Sequence, residues 1–383
     1  MKTWKAVIGL SAAFLLMCGC DGTFVNHRCN VSFGPTQGIL IHNSNNCIQP
    51  GLVVLPDGNL LAAYQCDFTT LTTQLSSDNG ATWGSANTFP LGSNYVALSL
   101  LPNGNLFLST SKFDRVPLPF YMIGTIGHGD AISWGPPVFV STPTWKNGCM
   151  AGSPVVRLSN GNLLWPLACL SDNDESAGLP NSSTVLLSAD GGLTWPTQIT
   201  VGDSTADKRD YDESAAAVYP NGDIIMIMRQ TTKEPAGMLW RSKSTDNGLS
   251  WSKPVLVVNR EIVGRPTLAL LPSGGLVLLG RAVVKGVSTT GFATSWDEGL
   301  TYSDFADLAV RGPVGNFDQY DAMALLSDGS IGVVGAHGEV GKNSNVDFRN
   351  LVDYCSSAPS VLSRNYEPMI DIKMQCSALA FAD

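Results

Sequence analysis

Four charged side chains stand in two pairs of equal spacing, Glu213 with Arg229 and Arg265 with Arg281, and Tyr320 follows them. Guanidinium groups hold carboxylates through paired N–H bonds, while carboxylates and phenols are acids and bases of proton transfer. Such a set could bind and transform an acidic ligand. It could equally be structural, since a Glu facing an Arg across a hairpin closes a sheet end as an ion pair. Whether these five residues meet depends on the elements that carry them.

One pattern recurs along the chain: a short apolar run, a turn of the Pro-Asp-Gly-Asn type and a second apolar run. It reads VVLPDGNLLAAY around Gly58, LSLLPNGNLFLS around Gly104, VVRLSNGNLLWPL around Gly161, AVYPNGDIIMIM around Gly222, LALLPSGGLVLLG around Gly274 and ALLSDGSIGVV around Gly329. A residue tolerant of φ > 0 between two β-forming runs signals a hairpin. Six hairpins 46 to 61 residues apart point to a β-propeller in which each repeat is one blade. Strands rise about 3.3 Å per residue, so residues nine before and seven after each Gly lie together at the hairpin end away from its turn. Nine before are Gln49, Tyr95, Gly152, Glu213, Arg265 and Tyr320; seven after are Gln65, Ser111, Ala168, Arg229, Arg281 and Ala336. The five reactive residues therefore share one rim. Charged residues make up 14% of the chain yet occupy four of these twelve positions, which weakens surface solubility as the explanation.

A second motif falls between the hairpins: SSDNGATW ending at Trp83, SADGGLTW at Trp195, STDNGLSW at Trp251 and SWDEGLTY at Tyr302, with a degenerate GDAISW ending at Trp134 and no copy in the sixth repeat. An Asp caps such a turn through nearby N–H groups, the Gly takes the left-handed position and the aromatic ring is buried between sheets. These residues stabilise a turn and need no ligand. Composition agrees with an all-β chain: 39 Gly and 22 Pro among 383 residues, with 14% charged, argue against a coiled coil, a helical bundle or disorder. A net charge of −9 and the lack of any basic run interleaved with aromatics exclude a nucleic-acid partner. His27, His42, His128 and His337 have no metal-ligand spacing and read as loop or packing residues, and the methionines of Ile224–Met228 read as strand core.

The chain opens with the basic MKTWK, the apolar AVIGLSAAFLLM and then CGC, an export signal over residues 1–19 that is too short to span a bilayer. Met17-Cys18-Gly19 before Cys20 resembles a bacterial lipobox. The expectation is a membrane-anchored lipoprotein of the periplasm or cell surface, lipidated at Cys20 with a tether over 20–45; secretion without a lipid is the alternative. Part of the tether is a candidate for the strand that closes the ring. No C-x-x-C pair supports a zinc site, and in an oxidising compartment the later cysteines read as disulfides. Cys47 and Cys66 lie eleven before and eight after Gly58, and Cys149 and Cys169 lie twelve before and eight after Gly161, so each pair is expected to bridge its own hairpin. Cys355 with Cys376 would be the remaining pair, leaving Cys29 free.

The four intact Ser-x-Asp-x-Gly-x-Thr/Ser-Trp/Tyr copies resemble the Asp boxes of the sialidase superfamily, also called bacterial neuraminidase repeats. The similarity covers about residues 46–383 and implies an all-β, six-bladed β-propeller with four-stranded antiparallel blades. Asp boxes also occur in propellers that are not sialidases. YDESAAAVYPNGDIIMIMR, Tyr211 to Arg229, is similar to the family segment in which a Glu precedes a hairpin and an Arg ends it, implying Glu213 as a base and Arg229 as a carboxylate-binding arginine. YDAMALLSDGSIGVV, Tyr320 to Val334, resembles the segment carrying the family's tyrosine nucleophile, implying that role for Tyr320. GRAVVKG puts Arg281 where another arginine of the family's triad is expected. The sequence also departs from the family. Where Arg-Ile-Pro usually opens the first hairpin, Ile48-Gln49-Pro50 stands here, leaving Gln49 at the ligand side and the first triad arginine missing. Arg265, in Gly-Arg-Pro, could offer a third guanidinium from another blade. The family's acid/base is an Asp in the loop after the first hairpin, and Asp67, in YQCDFTT, is the acidic residue there.

The resemblance implies a retaining exo-glycosidase acting on sialic acid or a related acidic sugar, with sialylated or acidic glycans as partners, no metal or organic cofactor, and membrane contact only through the lipid on Cys20. Two alternatives stand beside it: a non-catalytic glycan-binding propeller, which a missing arginine would fit, and a superfamily glycosidase or lyase for another sugar.

Overall fold

Each of the six apolar-turn-apolar repeats folds as an antiparallel hairpin, and the six turns are built alike. In every one the Gly N–H bonds the carbonyl three residues back at 2.9 to 3.0 Å, and the Gly sits at φ between 82° and 92°. That is a tight turn closed by a left-handed residue, a three-residue hairpin loop that suits the twist of the flanking strands.

The computed structural model describes residues 31–33, 39–43, 47–113, 116–170, 181–231, 238–257, 264–284, 287–303, 305–307, 318–337 and 345–353, all within the compact unit Asn30–Tyr366. They form six antiparallel sheets. Five are each built from one consecutive run of chain, as in Cys47–Val54, Leu60–Cys66, Thr70–Ser76 and Asn87–Pro90 of the first sheet. The last joins distant parts of the sequence: Asp318–Leu325, Ile331–His337 and Asn345–Asp353 are completed by Val31–Phe33 and Ile39–Asn43, both paired with Asn345–Asp353. The domain boundary expected at residue 46 therefore moves toward the N-terminus, because strands inside the expected tether supply the closing position. The inner strands of successive sheets, beginning at Cys47, Asn94, Cys149 (resumed at Val156–Arg157), Ser214, Thr267 and Asp318, touch one another in a closed cycle, which is the arrangement of a β-propeller. Side chains stitch neighbouring sheets near the axis: Ser109 Oγ donates to the Ser153 carbonyl at 3.0 Å, Ser153 to that of Ser214, and Thr267 Oγ1 to that of Asp321 at 3.0 Å.

The core lies in the seams between sheets, and the recurring turns fill it. In the first, Gly80 N–H donates to Ser76 Oγ at 2.9 Å, while Thr82 N–H and Oγ1 donate to the Asp78 carboxylate at 2.8 and 2.5 Å; the same bonds recur at Ser188–Thr194, Ser244–Ser250 and Ser295–Thr301. The aromatic that ends each turn plugs the seam with the preceding sheet. Trp83 lies 5.6 Å from Phe348 across the closing seam, Trp134 joins the Leu98 cluster, Trp195 lies 5.3 Å from Trp165 and 5.5 Å from Phe107, Trp251 joins the Leu164 cluster and Tyr302 the Ile225 cluster. Losing such a ring from a packed seam costs about 3–5 kcal/mol. The remaining seam is filled by side chains of the strands and their turns, among them Leu271, Leu279, Phe292, Met323 and Val333, and it belongs to the one repeat whose sequence has no copy of the motif.

Both hairpin disulfides are present, Cys47–Cys66 with Cα atoms 4.1 Å apart and Cys149–Cys169 with Cα atoms 4.0 Å apart. The expected export signal, the expected lipidation site Cys20, and Cys29, Cys355, Cys376 and His27 lie outside the described residues. Among the described residues no helix is long and apolar enough to cross a membrane, and no group of three or more His, Cys, Asp or Glu is placed to hold a metal ion.

Candidate functional site

Three of the six inner strands carry a β-bulge at the same place. Regular pairing breaks between Ile48 and Gly51, between Asn94 and Ala97 and between Gln319 and Ala322, and within these gaps Gln49, Tyr95 and Tyr320 adopt left-handed φ values of 55°, 64° and 42°. A non-glycine residue held there costs on the order of 1 kcal/mol. Bulges re-aim side chains and gather beside active sites. Here the same strain recurs at equivalent positions on sheets one, two and six, and two of the three residues are tyrosines.

Sheets four and five bring the charges. Glu213 and Arg229 stand opposite each other at the open end of the fourth hairpin, where Arg229 N–H bonds the Glu213 carbonyl at 2.9 Å and their side chains form a buried ion pair. Arg229 also hydrogen-bonds the Tyr320 phenol. Around the Tyr320 ring lie the guanidinium carbons of Arg281 at 5.9 Å and Arg265 at 6.0 Å, and the Tyr95 ring, edge-on, at 5.8 Å. Burial first and then the Glu213 charge push the Tyr320 phenol above its ordinary pKa, against the pull of Arg229 and Arg281. The phenol therefore keeps its proton at neutral pH.

Arg265 is buried, and its Nη1 has no hydrogen-bond partner among the described residues. It borders a small pocket whose wall includes Tyr95, Gly152, Glu213 and Ser214. The glycine is what leaves room: a Cβ on Gly152 would stand 2.8 Å from Tyr95 Cβ and 3.4 Å from Arg265 Nη2. The segment carrying Arg265 is pinned to Arg281, whose carbonyl accepts the Gly264 N–H at 2.9 Å. A buried donor left over beside an open pocket is what an anion-binding site presents before its ligand arrives.

Five expected site residues, Glu213, Arg229, Arg265, Arg281 and Tyr320, thus come together. Gln49 is buried in a different task, its Oε1 accepting the Tyr95 N–H at 2.7 Å and bracing the second bulge from the first sheet. Asp67 is exposed, the first of two left-handed residues in the turn after Cys66, at the same end of the sheet but outside the buried cluster. Tyr95 and Gly152 belong to the row nine before each Gly, so that row was the signal for them. Gln65, seven after Gly58, is fully buried with neither amide atom partnered among the described residues. Asp212 and Thr231 sit behind Glu213, with Thr231 Oγ1 2.8 Å from Asp212 Oδ2; only the acidic run Asp210 to Glu213 hinted at them.

No protein-family model and no curated protein matches the sequence. Solved structures match its fold. A protein of unknown function from Dyadobacter fermentans superposes with a TM-score of 0.68 at 16% identity, over 84% of this chain and 98% of that one. The intramolecular trans-sialidase from Ruminococcus gnavus in complex with oseltamivir carboxylate gives 0.59 at 12% identity, over 84% and 96%. The α-L-arabinanase of Penicillium chrysogenum complexed with arabinobiose gives 0.59 at 17% identity, over 85% and 98%. At such identities the likeness is one of fold alone, a β-propeller.

Proposed function

We propose that the six sheets are the blades of a six-bladed propeller that works as a retaining exo-glycosidase of the sialidase type, exported and lipidated at Cys20, releasing a terminal sialic acid or a related acidic sugar. The observation that carries this is Tyr320, held at positive φ among Arg229, Arg265 and Arg281 and beside Glu213. A sugar whose anomeric carbon bears a carboxylate repels a carboxylate nucleophile, so a neutral phenol suits it, and sialidases depart from the two-carboxylate rule in this way. Glu213 would take the phenol proton as Tyr320 Oη bonds the anomeric carbon, and Asp67, exposed at the same end, would protonate the departing oxygen. Water activated by Asp67 would then attack that carbon and return the phenol. Arg229, Arg281 and Arg265 would hold the substrate carboxylate.

Incubation with a fluorogenic sialoside tests the reading: turnover is expected, and Tyr320→Phe should abolish it. Turnover that survives Tyr320→Phe excludes the nucleophile. A second reading, glycan binding without hydrolysis, draws on Gln49, which brings no charge where the family pattern has its first arginine and is engaged by Tyr95 instead. Saturable sialoside binding without any turnover would select it. Equal hydrolysis of a sialoside and its carboxamide would point instead to a neutral sugar, of the kind of the arabinobiose bound in the Penicillium chrysogenum structure.

A further inference from the structure

Directly behind the Glu213–Arg229 pair, two more carboxyl groups share one hydroxyl. Thr231 Oγ1 lies 2.7 Å from Asp210 Oδ2 and 2.8 Å from Asp212 Oδ2. A threonine hydroxyl has a single proton to donate. Two carboxyl oxygens at that distance are both satisfied only if one carries its own proton and donates to the hydroxyl oxygen, which leaves the hydroxyl free to donate to the other. Asp210 is tied as an acceptor through both oxygens, Oδ1 receiving the Asn181 N–H at 2.7 Å and Oδ2 the Thr231 N–H at 2.6 Å. Asp212 is buried, and its Oδ1 has no partner among the described residues. An ionised carboxylate would be poorly housed there, so the extra proton belongs on Asp212.

We propose that Asp212 is a protonated positioning residue: its Oδ2–H donates to Thr231 Oγ1, Thr231 donates to Asp210, and the neutral acid keeps a second negative charge away from Glu213. The groups facing it are Asp210 and Glu213 on its own segment, Arg229 and Thr231 on and just after the neighbouring strand, and Tyr95 from the second sheet. Burial first, then Glu213 and Asp210, push its carboxyl up to about 7, against the Thr231 bond and Arg229. The functional consequence rests on the acidic-sugar reading. When Asp212 loses its proton, the chain Asp212–Thr231–Asp210 loses a donor and a second negative charge appears behind the Glu213–Arg229 pair. The site then turns against an anionic ligand on the alkaline side of neutrality.

Infrared difference spectroscopy of the whole protein reads the proton directly. Exposed carboxyl groups are ionised at neutral pH, so a carboxylic-acid C=O band that persists there, titrates near neutrality and is missing in Asp212→Asn is expected. A wild-type protein without such a band, or a band unchanged in Asp212→Asn, overturns the proposal whatever the enzyme acts on. The second arm is the pH profile of sialoside hydrolysis. Asp212→Asn should keep activity at acid pH and move the alkaline limb upward by about one unit or more. A band that behaves as expected beside an alkaline limb that does not move in the Asn variant refutes the positioning role, and absence of turnover in every variant refutes the sialidase reading while leaving the spectroscopic result to stand.

Discussion

Arg265 and Arg229 share a cluster, yet replacing each with Met should move the stability of the fold in opposite directions. Arg229 is ion-paired with Glu213, at side-chain exposures of 11% and 8%. Arg229→Met strands the Glu213 carboxylate, and breaking a buried pair costs about 3–5 kcal/mol. Arg265 is 6% exposed, and one end of its guanidinium is unpartnered among the described residues. A buried donor without a partner costs about 1–3 kcal/mol. Methionine fills a similar volume without a polar group, but the change also removes attraction to Glu213 and to the Tyr320 ring. Arg265→Met should therefore raise the free energy of unfolding by about 1 kcal/mol. Ligand binding should fall in both variants by about 2–5 kcal/mol, which is roughly 30-fold to 4,000-fold in affinity or kcat/KM. Urea midpoints of the three proteins with disulfides intact, measured beside sialoside kinetics or binding, give both readouts. A loss of stability in Arg265→Met equal to that in Arg229→Met would make Arg265 a member of a structural ion network, and its unpaired guanidinium would no longer point to a ligand.

Gly152→Ala drives a methyl group into Tyr95, 2.8 Å from its Cβ, so KM should rise at least about tenfold with a stability loss of about 1–3 kcal/mol; an unchanged KM would mean that the pocket is not used. Replacing Cys47 and Cys66 together with Ser should cost about 3 kcal/mol in chemical denaturation, from the closure entropy of a sequence separation of 19, and a midpoint that does not move would contradict this. The Asp190 carboxyl is held down from 3.8 to about 2 by the Thr194 side chain and N–H, and Asp78 and Asp246 are lowered by Thr82 and Ser250 in the same way. A folded pKa below the unfolded one stabilises above about pH 4, and that contribution is lost as pH falls toward 2. Asp190→Asn should flatten this acid limb in thermal melts, and an unaltered limb would assign acid sensitivity elsewhere.

The rim was legible because hairpin geometry is arithmetic. A glycine that closes a three-residue loop sets the register of both strands, so Glu213 opposite Arg229 follows from counting. The bulges were less legible, since Gln49, Tyr95 and Tyr320 are residue types with no preference for positive φ. Their trace was nevertheless in the cysteines. The regular register past Gly51, which pairs with Ala63, would set Cys47 opposite Asp67; the pairing found is Cys47 with Cys66, one residue off, and the bulge at Gln49 and Pro50 takes up the difference. The eleven-and-eight spacing around Gly58 carried that offset, whereas the charged pairs obey nine and seven. Side-chain partners were out of reach of any pattern. That Gln49 reaches the Tyr95 N–H, or that Thr231 bridges two aspartates, depends on rotamers and on loops whose course no periodicity fixes.

The repeat also explains why one end of the ring is divided. The residue seven after each Gly continues the face that packs on the next sheet: Arg229 follows Ile225 and Ile227 toward the fifth sheet, Arg281 follows Val277 and Leu279 toward the sixth, and Gln65 follows Leu61 and Ala63 toward the second. Each therefore faces the residue nine before the next Gly, and the 5.9 Å between Arg281 and Tyr320 is that relation observed. By the same count Gln65 is the uncharged counterpart of Arg281, and Tyr95 that of Tyr320. At these twelve positions charge is thus confined to sheets four and five, with Tyr320 beside them on sheet six, while Gln49, Gln65, Tyr95 and Gly152 make the opposite arc uncharged. A scaffold that repeats its geometry has assigned its chemistry to half the circle. A ligand with one anionic end and a neutral remainder would be oriented by that asymmetry before any single contact was made.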